Sequence, residues 1–297
     1  MQSVIRTVVC VIILAFLLTT QANAGWVIEQ VTRSGGTAPP DNVGPDRQVV
    51  TMSANRIKTT SVDPSRKPTA AWIMDLEAQS LSRIDYQRQT VATGTVQDYA
   101  DSMQAARNQM TAAMKQMQQV LKDMPPEQRQ KMEQMMRQHL PSAAPAGGTA
   151  EPCPEPKIEV RPTGQTAEIA GYPAARYDVL EDGKLRTELW LSKAITAWKE
   201  IDPEKLERFS QEMAKASQRL PGCRFDWGKW AGLAPNDPVW KLANEGYPVR
   251  TVSHGPGEGS IHEVVTAESR TIPLTEFQAP PGFKQQSLKD ILRRGGS

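Results

Sequence analysis

Gln48-Val49-Val50-Thr51-Met52-Ser53-Ala54-Asn55-Arg56-Ile57-Lys58-Thr59-Thr60 holds two runs of β-formers on either side of a short polar break. The spacing predicts a strand over 48–52, a turn at Ala54-Asn55 and a second strand over 56–60. Downstream, Ala71-Trp72-Ile73-Met74-Asp75-Leu76 and Ser82-Arg83-Ile84-Asp85-Tyr86 repeat the arrangement as a second hairpin. Upstream, Trp26 to Thr32 is again rich in β-formers, and Gly35-Gly36 and Pro39-Pro40 then break the chain. Short strands at this regular spacing predict an antiparallel meander.

Near Gln97 the hydrophobic period changes. Met103, Met110, Met117 and Met124 fall seven apart, with Ala106, Ala113, Met114, Val120 and Leu121 at intervening positions. That is one apolar seam along a helix. Pro125-Pro126 stops it and can open another, in which Met132, Met135, Met136 and Leu140 recur at helical spacing. Residues 97–140 therefore read as a Met-rich helical hairpin insert. Residues 141–156, rich in Pro, Ala and Gly, read as a linker.

Strands then resume. Ala167-Glu168-Ile169 leads into Ala175 to Leu180, and Arg186 to Leu191 follows a turn at Glu181-Asp182-Gly183-Lys184. Asp-Gly between two such runs is a strong hairpin signal. Asp202-Pro203 opens a helix as cap and first-turn proline, with Leu206, Phe209, Met213, Ala216 and Leu220 as its buried stripe. Val249-Arg250-Thr251-Val252 and Ile261-His262-Glu263-Val264-Val265 form a last hairpin. The expected class is α+β, a curved antiparallel sheet interrupted by helices.

At the N-terminus, Arg6 precedes the apolar run from Val8 to Leu18, and Ala22-Asn23-Ala24 supplies the small–any–small pattern read by signal peptidase. The run is short for a membrane span, which needs about 20 apolar residues. The expectation is a cleavable leader over 1–24, a mature chain starting at Gly25, export to an oxidising compartment such as a periplasm, and no membrane span in residues 25–297. Those residues read as a single domain. A formal charge of +2 that falls to about +1 on loss of Arg6, with acids and bases mixed, argues against nucleic acid as a partner. Cleavage would also remove Cys10 and leave Cys153 and Cys223, which an oxidising compartment would pair.

The strand openings Gly171-Tyr172-Pro173 and Gly246-Tyr247-Pro248, the strand end Glu188-Leu189-Trp190-Leu191-Ser192 and the closing Phe277-Gln278-Ala279-Pro280-Pro281-Gly282-Phe283 resemble an exported bacterial family of unknown function. That family also has a Met-rich insert resembling Met114 to Met136, including Pro125-Pro126-Glu127-Gln128-Arg129. It is similar in fold to the periplasmic lipoprotein carrier and its outer-membrane receptor, half-barrels whose concave face binds acyl chains under helices. The resemblance implies a binder of a lipid-like or other hydrophobic molecule, or an envelope sensor that contacts a partner protein. It carries over no catalytic residue.

The residues themselves offer little chemistry. His139, His254 and His262 form no recognisable metal motif, although His254 and His262 could approach across the last hairpin. No nucleophile elbow, phosphate loop or cofactor fingerprint is present, so the reading is non-enzymatic, without a cofactor. Thioethers suit copper(I), but a metal site needs convergence and a heptad stripe packs. Met103, Met110, Met114 and Met117 are therefore candidates for core packing or for a pliable lid over a ligand. Phe225, Trp227, Trp230 and Trp240 near Cys223 read as buried packing before sugar stacking.

Overall fold

The computed structural model describes residues 22–34, 46–123, 125, 157–217, 240–254 and 259–288. Its first strand, β1 (Ala22–Ser34), lies between two meanders. On one side run β2 (Asp46–Ser53), β3 (Arg56–Val62), β4 (Pro68–Asp75), β5 (Ser80–Asp85) and β6 (Thr90–Thr95). On the other run β7 (Ile158–Ile169), β8 (Tyr172–Glu181), β9 (Lys184–Ser192), β10 (Tyr247–Ser253) and β11 (Ser260–Pro273). β1 pairs antiparallel with β2 and with β11, so both meanders merge into one sheet. β12 (Lys284–Ser287) adds parallel to β6. The order is β12-β6-β5-β4-β3-β2-β1-β11-β10-β9-β8-β7, twelve strands with β12 and β7 as open edges.

The protein is thus mostly β, and the expected α+β class is corrected. Among the described residues the helices are α1 (Val96–Asp123), α2 (Pro203–Ser217) and three short 3-10 turns, Ala197–Glu200, Trp240–Asn244 and Leu274–Phe277. They lie in the connections of a single continuous sheet and do not make a second layer of comparable size. The physical reason is β1. Each meander is local in sequence, whereas the pairing of Ala24 with Thr271 that unites them is not. The sheet is a single open one, with no pairing between β12 and β7.

Both helices start at side-chain caps, of which the sequence reading placed the one at Asp202. Thr95 and Asp98 form a reciprocal box: Asp98 N–H donates to Thr95 Oγ1 (3.1 Å) and Thr95 N–H to Asp98 Oδ2 (2.8 Å). Asp202 Oδ1 accepts the N–H groups of Glu204 (2.9 Å) and Lys205 (3.3 Å) ahead of α2. Asn55, in the β2–β3 turn, anchors this approach. Its N–H donates to the Glu200 carbonyl, and its Oδ1 accepts Asp202 N–H at 2.6 Å. Ala54 and Asn55 both have positive φ, 48° and 61°, as a type I′ hairpin turn requires.

Alternation along the strands sorts the core. Ile28, Val50, Met52 and Ile57 pack with Leu206, Phe209 and Met213 of α2 and with Val96 and Tyr99 of α1. On the opposite face of β1 and β4, Val27, Ala71 and Ile73 join Ile84, Val91 and Ile272 beneath Phe277, Ala279 and Phe283. The chain after β11 therefore straps over that face before β12 docks on β6. Lys58, nearly buried, fastens the strap by donating to the Glu276 carbonyl and Oε1, both at 2.9 Å. A third cluster gathers Val179, Leu189 and Leu191 around Leu242 of the 3-10 turn at Trp240–Asn244.

The candidate disulfide residues Cys153 and Cys223 lie outside the described residues, as do Phe225, Trp227, Trp230, His139 and the second helix expected over 126–140. Met103, Met110, Met114 and Met117 fall on α1, but their side chains lie outside the described residues. α1 packs against α2. Ala22-Asn23-Ala24 belongs to β1, opposite Pro273, Ile272 and Thr271, and the wholly buried Ser53 donates its hydroxyl to the Ala24 carbonyl at 2.9 Å.

Candidate functional site

The outer part of the second meander holds a groove of about 550 Å³. Its floor follows from register. Thr166 lies opposite Ala175, Glu168 opposite Pro173, and Ala175 opposite Leu191, so these residues share one face of β7, β8 and β9. Ala175 and Pro173 are short, and the depression exists because small side chains sit between larger ones. Ala167, Ala174 and Ala194 complete the apolar lining, with Tyr177 and Leu191 as the bulky walls.

Three charged groups complete the lining. Lys193 Nζ and Glu245 Oε2 pair at 3.1 Å, and Tyr177 donates its hydroxyl to the same carboxylate oxygen at 3.3 Å. Glu168, on β7, is the third. Glu245 reaches this position because Gly246 passes directly over the end of β9. Gly246 has φ +138°, and a Cβ there would run into the Ser192 carbonyl. The Lys193 ammonium holds the Glu245 carboxyl below the usual carboxylate range, with help from Tyr177. Burial, and then the Glu245 charge, push the Tyr177 phenol up, so it stays a neutral donor.

A smaller cavity of about 270 Å³ lies between the β4–β5 turn and α2, lined by Leu76, Glu77, Gln79, Lys205, Arg208, Gln211 and Glu212. Its polar groups mostly satisfy one another. Lys205 pairs with Glu77, Asn55 donates to Glu77 at 2.9 Å, and Gln79 donates to the Leu76 carbonyl at 2.7 Å. It reads as a helix docked on a turn.

The third polar feature is a charged ladder on the sheet. Arg176 bridges Asp178 (2.8 Å) and Glu188 (3.1 Å), and Glu188 also bonds His254 Nε2 at 2.8 Å. His262 bonds Thr32 Oγ1 at 2.8 Å instead. The two histidines that sequence could place together across the hairpin therefore serve different partners. Among the described residues no cluster of three His, Cys, Asp or Glu side chains could hold a metal ion, and no helix is long and apolar enough to cross a membrane.

Sequence reasoning did not find the groove. Alanines and a proline carry no chemical signature, and Glu168, Lys193 and Glu245 come from three separate segments. The available signal was Gly246-Tyr247-Pro248, whose glycine permits the close crossing.

No protein-family model matches the chain, and no curated protein is similar to it. Among solved structures it is similar to an uncharacterized conserved protein from Thermus thermophilus. That likeness has 9% identity and a TM-score of 0.40, over 93% of this chain and 96% of that one. It is also similar to PNGF-II, solved in two space groups, each at 9% identity and a TM-score of 0.36. There 92% of this chain matches 33% or 34% of the other.

Proposed function

We propose that this protein is a non-enzymatic binding protein of the bacterial periplasm that holds an elongated, mainly apolar small molecule. The observation that supports this reading is the groove over Pro173, Ala175 and Leu191. Its volume of about 550 Å³ falls within the range of small-molecule sites, about 300–1,000 Å³. Its lining is mainly apolar, with a few fixed polar groups, which is the composition such sites use for affinity and orientation. Lys193 and Tyr177 both bond to Glu245, an arrangement suited to orienting a ligand. The face under α1 and α2 is occupied by Leu206, Phe209 and Met213, all nearly fully buried, so the groove is the better place for a guest.

Displacement of a fluorescent long-chain probe by unlabelled dodecyl compounds tests the reading. Ala175→Trp should fill the floor and abolish probe binding while the melting temperature changes little. Equal binding by both proteins would locate the ligand elsewhere. No binding by the native protein would move the role to α1, where Thr111, Ala112, Ala113 and Gln116 face solvent and could meet a partner protein.

A further inference from the structure

Resting on that reading, we infer that the groove prefers an alkyl or acyl chain ending in an ammonium group over one ending in a carboxylate. Two carboxylates, Glu168 and Glu245, line it against one ammonium, Lys193. Lys193 is already engaged by Glu245 at 3.1 Å, and the second contact of that carboxylate oxygen is the Tyr177 hydroxyl. The lone cation of the lining is thus neutralised by a group held in place from two sides.

Glu168 stands apart. It lies on β7, two strands from Lys193, about 10 Å by the spacing of a sheet, and it has no ion-pair partner among the described residues. The site therefore presents a net charge of about −1, with the uncompensated carboxylate beside Pro173. Glu168 is exposed, so its attraction for a cation acts through solvent and weakens as salt rises. Tyr177 is the one aromatic residue in the lining, and aromatic rings contribute to the recognition of alkylammonium ions. A carboxylate ligand would meet two like charges and could win Lys193 only by displacing Glu245.

The experiment compares three ligands of equal chain length below their micelle concentrations: dodecyltrimethylammonium, dodecyl maltoside and dodecanoate. Competition against the long-chain probe on the full chain at low salt should place the ammonium compound at least about tenfold ahead of dodecanoate. Raising the salt should narrow the gap, and Glu168→Gln should shrink it several-fold. Glu168 is exposed, so folding of this variant can be confirmed by an unchanged melting temperature. Equal or tighter binding of dodecanoate, or a full ammonium preference in Glu168→Gln, overturns the inference while the groove reading survives. Failure of all three ligands to compete on the native protein overturns both.

Discussion

Gly171 and Gly246 open β8 and β10 with the same Gly-Tyr-Pro triplet, yet their backbones are constrained differently. Gly171, at φ +81°, has nothing within 4 Å of where a Cβ would stand, whereas Gly246 is pressed against Ser192. Gly171→Ala should therefore cost about 1 kcal/mol of left-handed strain, and Gly246→Ala about 3 kcal/mol, because the β9 end must also move. Chemical denaturation of the two variants separates the values. The repeated triplet was legible in the sequence; the difference between its copies was not, since contact with Ser192 is tertiary. Glu200 offers a second residue-scale test. Burial pushes its carboxyl above the usual carboxylate range, only partly offset by a hydrogen bond with the Ala54 backbone. The folded state then holds this proton at pH values where the unfolded chain has released it. Ionised Glu200 thus subtracts stability at neutral pH and nothing below the unfolded carboxylate pKa. Glu200→Gln should raise the melting temperature at pH 7, and the advantage should vanish as pH falls below about 4.

Among the elements, the strap from Leu274 to Phe283 is the part the sequence disclosed least. Phe277-Gln278-Ala279-Pro280-Pro281 has neither strand nor helix periodicity, and its role is to cover Ala71, Ile73, Ile84 and Val91 on the sheet face away from the helices. Phe277→Ala should cost about 3 kcal/mol, read as a lower denaturation midpoint, because Phe277 is nearly buried and its neighbours belong to rigid strands. Of β7 only Ala167-Glu168-Ile169 was read, for a related reason. Pro162 and Gly164 break its pattern, but it is an edge strand with a register shift between Pro162 and Thr166, where a proline is tolerated. Elements with strong local chemistry were legible throughout. The Ala54-Asn55 and Asp182-Gly183 turns and the Asp202-Pro203 helix start stand where the sequence puts them. β6 went unread because Thr90-Val91-Ala92-Thr93-Gly94-Thr95 is short and runs straight into α1.

On the scale of the molecule, β1 merges the two meanders into one sheet, and within the second meander one side chain reaches from β8 to β11. Tyr172 sends its hydroxyl to the Ala267 carbonyl at 2.7 Å and accepts the Ala267 N–H at 3.1 Å. It supplies β11 with hydrogen bonds beyond the point where the β10 ladder has ended, since β10 pairs with β11 only over Arg250–Ser253. Tyr172→Phe should quicken amide exchange at Ala267 by about tenfold, equivalent to roughly 1.4 kcal/mol, while amides paired between β1 and β2 stay protected. The class assignment failed at this scale, because nothing local to Trp26–Thr32 announces a partner near Ala267. That same distance has a consequence for biogenesis. A leader removed after Ala24 would be cut inside the stretch of β1 that pairs with β11, where a folded chain would shield the bond from a peptidase. Thr271, which lies opposite Ala24, is synthesised about 250 residues later and would follow it through a translocation channel. With such a leader the chain order would work as a timer: the cut would come while the strand is still bare, and the sheet would close over the new terminus afterwards.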